Sequence, residues 1–149
     1  MLLRWTIATV HLLALGIGLG AVWTRARGLL RLREAADLGA VLRADTLWGI
    51  AALLWISTGL WRAFGGLEKG TAYYLQSGAF HAKMGLLALV LVMEAWPMIT
   101  LIRWRVRRGR AESINFEKAP ALARISFVQA ILVVLMIFAA TAMARGLTW

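Results

Sequence analysis

The chain has 149 residues, 61% of them hydrophobic, no cysteine, a formal charge of +10 and a mean hydropathy of +0.72. These values fall outside the range of soluble domains and inside that of membrane proteins. The absence of cysteine excludes a disulfide framework, a thiolate zinc site, an iron–sulfur cluster and a thioether-bound haem.

Crossing the hydrocarbon takes about 20 apolar residues, and four segments meet that need. The first runs from about Trp5 to Trp23. It begins at Arg4 but is long and contains His11. It ends at "WTRARG" with no small-residue cleavage pattern, so it reads as a retained helix rather than a signal peptide. Gly16 and Gly20 within it form a small-xxx-small pair, which predicts helix packing. The loop that follows carries Arg25, Arg27, Arg31, Arg33 and Arg43. Its "GLLRLREAADLGAVL" has apolar residues at helical spacing, which predicts a short amphipathic helix on the membrane surface.

The second span runs from about Asp45 to Trp61, with Asp45 as its expected N-cap. Its outgoing loop has few charges, Arg62 and Lys69 among them, and contains Tyr73 and Tyr74. The third span runs from about Phe80 to Ile102 and opens with "FHAKMG". The next loop carries Arg103, Arg105, Arg107, Arg108, Arg110, Lys118 and Arg124, with Asn115 as a candidate helix cap. The fourth span runs from about Ile125 to Ala144.

Arginine-rich loops stay in the cytoplasm. The expected architecture is therefore an all-α, four-helix transmembrane bundle in a single domain over residues 1–149, with both termini outside. The implied location is the bacterial inner membrane, and the basic excess points to anionic lipids rather than nucleic acid. Tryptophans flank the spans as interface anchors: Trp5, Trp61 and Trp149 at one side, Trp23, Trp48 and Trp104 at the other.

This topology gathers Arg4, His11, Arg62, Glu68, Lys69, Tyr73, Tyr74, His81, Lys83 and Arg145 at the outer side. His11 shares a helical face with Ala8, Ala14, Leu15 and Gly18, and His81 with Gly85, Ala88 and Val92. Small residues permit close helix packing, or leave room for a flat ring. Two histidines so flanked suit a b-type haem with His11 and His81 as axial ligands, Arg62 and Arg145 on its propionates, and Tyr73 and Tyr74 packed above. Lys83 lies on another face, with Leu87, Val90 and Glu94, as a proton donor, a substrate contact or the alternative ligand. Asp45 and Glu94 belong to the opposite side, as structural or proton-handling groups.

The run from "RADTLWGIAALLWISTGLW" through "FHAKMGLLALVLVMEAW" to "IRWR", with the closing "MARG", resembles a family of small bacterial four-helix membrane proteins of unknown function. His11 in the first span and the "HAK" of His81 and Lys83 give a more distant resemblance to HemJ-type protoporphyrinogen oxidases and copper-resistance D-type membrane proteins. The HemJ-type resemblance implies that the first-span histidine and the lysine serve haem binding and activity. A later third-span histidine of that family is missing where "VMEAW" stands.

The leading expectation is thus a haem b protein acting in electron transfer or as a small oxidoreductase, with a redox partner or a quinone- or porphyrin-like molecule. Its rivals are a dimeric transporter or channel using Glu94, Asp45 and Lys83, and a non-catalytic subunit of a membrane complex.

Overall fold

A computed structural model describes residues 1–66 and 71–146, apart from the side chain of Thr71. Glu68, Lys69 and Trp149 lie outside the described residues. The described chain is all helical: α1 (Leu2–Arg31), α2 (Leu38–Phe64), α3 (Thr71–Gln76), α4 (Gly78–Gly109) and α5 (Ala119–Ala144). Four of these, α1, α2, α4 and α5, are long and apolar enough to span a membrane. The lipid-facing surface is rich in large apolar side chains, among them Leu12, Leu53, Val92, Ile131 and Phe138. In water such a surface would be strongly unfavourable; in hydrocarbon it costs nothing.

α1 is the central helix. It packs along α2 on one side and α5 on the other, while α4 packs on α5 and only touches α2. The α1–α2 approach is close at Gly18, where a Cβ would stand 3.4 Å from Ala51 Cβ and from the Trp48 ring. Gly16 and Gly20, the expected packing pair, are instead exposed, with nothing within 4 Å of where their Cβ atoms would be. Two residues, about half a turn of helix, separate the packing glycine from each lipid-facing one, and only the partner's position decides between them.

The amphipathic surface helix expected in the first loop does not form as a separate element. Its residues extend the end of α1 and the start of α2, leaving only 32–37 as the connection. Leu29, Leu32, Leu38, Val41 and Leu42, which gave that stretch its periodicity, are buried with Leu101, Trp104 and Leu122. Asp45 consequently lies inside α2 and caps nothing; Asp37 holds the N-cap position. Asn115 also caps no helix. Its Oδ1 accepts from Glu117 N at 2.8 Å, and α5 starts at Ala119 with Pro120 in its first turn.

Of the expected interface tryptophans, Trp5, Trp23 and Trp61 are exposed. Trp48 and Trp104 are core residues, 3% and 5% exposed, one in each of the two large apolar clusters. Burial against neighbouring helices outweighs the interface preference wherever the ring faces inward.

Candidate functional site

The inward face of α1 reads Ile7, His11, Ala14, Gly18, Ala21, Val22, Arg25 and Leu29. Its spacing of three and four residues places two polar groups, His11 and Arg25, in the bundle interior at opposite ends. They are fourteen positions apart, which is roughly 21 Å of helix.

At the His11 end the bundle holds a partly open cavity of about 420 Å³, lined by all five helices. Its size falls in the range of small-molecule and cofactor sites, about 300–1,000 Å³. Most of the wall is apolar, including Leu15, Phe80, Met84, Leu87 and Met136. The polar lining comes from His11, Arg62, Tyr73, Tyr74, Lys83 and Thr141. α3 brings in the two tyrosines. Tyr74 is buried against Phe80, their rings 5.4 Å apart, and Tyr73 Oη donates to the carbonyl of Met143 at 3.3 Å. This tethers α3 to the end of α5.

The hydrogen bonds of His11 fix its tautomer. Trp55 Nε1 lies 3.2 Å from His11 Nε2, and an indole N–H only donates, so Nε2 carries a lone pair. His11 Nδ1 lies 3.0 Å from Thr58 Oγ1, whose own hydroxyl is directed at the Leu54 carbonyl at 2.6 Å. Nδ1 is therefore the protonated nitrogen, donating to Thr58. The imidazole is neutral, its ring fixed by one bond and its lone pair held by the other. Gly59 makes space for it: a Cβ there would stand 3.0 Å from His11 Cε1.

His81 is not in this cavity. It lies exposed on α4, and its Nδ1 donates to the carbonyl of Ser77, 2.9 Å away, at the helix N-cap. Gly85, Ala88 and Val92, the other members of its face, are exposed too. Lys83, on the face of Leu87, Val90 and Glu94, turns inward and lines the cavity with His11. Arg145 is exposed and outside the lining. Among the described residues no group of three or more His, Asp or Glu is placed to hold a metal ion.

At the other end, Arg25 is fully buried. Its guanidinium forms a two-pronged pair with Glu94, Nη1 to Oε1 at 2.7 Å and Nη2 to Oε2 at 2.8 Å. It also reaches Asp45 Oδ1 at 2.9 Å, Gln129 Oε1 at 2.9 Å and, through Nε, Ser126 Oγ at 3.1 Å. Gln129 Nε2 donates to Glu94 Oε2 at 2.8 Å and to the Val90 carbonyl at 3.2 Å. Arg105 stands 3.5 Å from Asp45 Oδ2 and bonds Thr46. This one network links all four long helices. Arg25, Ser126 and Gln129 were not singled out from the sequence. The available signal was periodicity: Arg25 continues the face of His11, Ala14 and Gly18, unlike Arg27 and Arg31.

The apolar cluster around Trp48, Trp55, Val90, Val133 and Met136 lies between the cavity and the Arg25 network. The two polar centres are thus separate.

The family model described as "Predicted membrane protein (DUF2214)" matches residues 3–148. The chain belongs to that family. No curated protein and no solved structure matches it. In this DUF2214 protein the cavity and the Arg25 network both lie within the matched region.

Proposed function

We propose that the protein binds b-type haem in the His11 cavity and acts in electron transfer or as a small oxidoreductase of the bacterial inner membrane. The observation that carries this reading is the state of His11: a neutral imidazole whose Nδ1–H is anchored on Thr58, leaving Nε2 as the basic nitrogen. Ligating histidines characteristically use their second nitrogen in this way. The apolar walls suit a macrocycle, and Arg62 supplies positive charge for acidic substituents.

Bound haem would supply one-electron chemistry. His11 would provide Nε2 once the 3.2 Å bond from Trp55 is released. Lys83 shares the cavity and His81 does not, so Lys83 is the better second ligand or proton donor. Arg145 and His81 drop out of the proposed binding set. Tyr73 and Tyr74 would close the site and restrict water. The arginine distribution supports the orientation with both termini, and hence the cavity, at the outer side.

The transporter reading has less support, since Asp45 and Glu94 close on Arg25 and an apolar layer separates them from Lys83. The deciding measurement is the visible spectrum of full-length protein purified after expression with ample haem. A Soret band that sharpens on dithionite reduction and vanishes in His11→Ala is expected. Colourless wild-type protein would overturn the reading.

A further inference from the structure

The arginine-rich end of the bundle carries two adjoining grooves that share Gly39, Arg43 and Arg108. One, of about 640 Å³, is lined by Arg27, Arg31, Arg43 and Arg108. They come from three helices: Arg27 and Arg31 from the end of α1, Arg43 from α2, Arg108 from α4. The acidic group in its lining is Asp37, and that carboxylate is turned onto the backbone N–H groups of Arg33 and Glu34, both at 3.3 Å. Among the described residues, the ion pairs of the protein involve Arg25, Arg105 and Arg110, not these four arginines. A Cβ at Gly39 would stand 3.0 Å from Arg108 Nη1, so the glycine lets that guanidinium lie against the first turn of α2.

The second groove, of about 500 Å³, runs from Arg43, Arg105 and Arg108 onto an apolar floor of Leu42, Leu47 and Ile50. Leu47 and Ile50 are exposed on the membrane-facing side of α2. A cationic bowl therefore continues into a strip of hydrocarbon-facing surface. A soluble phosphate matches only the first part. A molecule with an anionic head and an acyl chain matches both.

We propose that these grooves form a specific binding site for an anionic glycerophospholipid, with the phosphate among Arg27, Arg43 and Arg108 and an acyl chain along Leu47 and Ile50. Convergent arginines repel one another across the groove, and a bound phosphate removes that cost while accepting charge-assisted hydrogen bonds from several of them. Basic pockets between membrane helices are established sites for such head groups. The proposal is independent of the haem reading, because the grooves and the His11 cavity are at opposite ends of α1.

The test uses full-length protein reconstituted in phosphatidylcholine vesicles with and without phosphatidylglycerol, then extracted in mild detergent, with retained lipid measured by native mass spectrometry. Two double variants carry the same charge change: Arg27→Gln with Arg108→Gln in the groove, and Arg103→Gln with Arg107→Gln outside it. A single arginine near an anionic lipid surface is worth about a factor of five in affinity. Diffuse attraction would therefore weaken both variants alike. The proposal expects retained phosphatidylglycerol to fall at least about tenfold further in the groove variant than in the control. Leu47→Gln with Ile50→Gln should lower retention with every arginine in place. Equal losses in the two arginine variants would overturn the site. Displacement of the lipid by inorganic phosphate, or no effect of the Leu47 and Ile50 changes, would overturn the lipid assignment. Helix content by circular dichroism checks that each variant is folded.

Discussion

Two buried polar residues, His11 and Arg25, lie on one face of α1, and they are held in different ways. His11 is neutral and needs only two partners, Thr58 and Trp55, to satisfy both ring nitrogens. Thr58→Val should leave the helices intact but release the ring. If haem is bound, its affinity should fall about 10–100-fold, the usual cost of losing such a supporting bond, readable by haem titration. Gly59→Ala should press on His11 Cε1 and destabilise the fold by about 1–3 kcal/mol, measured as a lower thermal midpoint. Arg25 is charged, so it needs carboxylates as well as hydrogen bonds. Arg25→Met would leave Glu94 without its cation and Asp45 with only Arg105, 3.5 Å away. A loss of about 3–5 kcal/mol is expected, seen as poor yield and a depressed melting temperature in detergent. A variant as stable as wild type would show that the network is not a clamp.

At the scale of elements, the start of α4 explains why a helix entering the bilayer carries "FHAK". Ser77 is its N-cap, accepting from Phe80 N, and the imidazole of His81 binds the Ser77 carbonyl. The histidine therefore serves the helix terminus, while Lys83, two residues on, serves the cavity. His81→Ala should leave any haem spectrum unchanged, whereas Lys83→Ala should alter it or abolish turnover. The reverse result would restore His81 to the site and show that α4 is rotated relative to this arrangement. α3 has a comparable positioning role, because Tyr73 and Tyr74 reach the cavity only from that short helix.

For the whole molecule, the arrangement is two polar centres divided by an apolar layer and closed beyond Arg25 by a second apolar cluster. The Arg25 network ties the four long helices together at one end, and the cavity lies at the other. Asp45→Asn and Glu94→Gln should therefore weaken the bundle while leaving ligand content per folded molecule nearly unchanged. Loss of ligand from still-folded protein would show that the two ends communicate. The start of α1 and the end of α5 share one end of the bundle, beside the cavity: Ala8 and Ala144 both line it. A periplasmic reporter fused after Trp149 should be active, and cytoplasmic activity would invert the proposed orientation.

Composition and hydropathy by themselves determined the class, the number of spans and their order, because apolar length is a local property that the bilayer reads directly. That Lys83 shares a face with Leu87, Val90 and Glu94 was also legible, since helical geometry fixes which residues lie together. Which face turns inward is a different matter, and here His11 and His81 diverged: each lay on a face of small residues, but only that of His11 meets a neighbouring helix. Arg25 was hidden among the loop arginines, because a charge count cannot distinguish an arginine that reaches lipid head groups from one enclosed by Glu94 and Asp45. The ends of α1 and α2 were hidden likewise, since an amphipathic stretch can bury its apolar side in lipid or in protein. Tertiary packing settled these points because burial depends on what stands opposite a side chain, and that is set by residues distant in the chain.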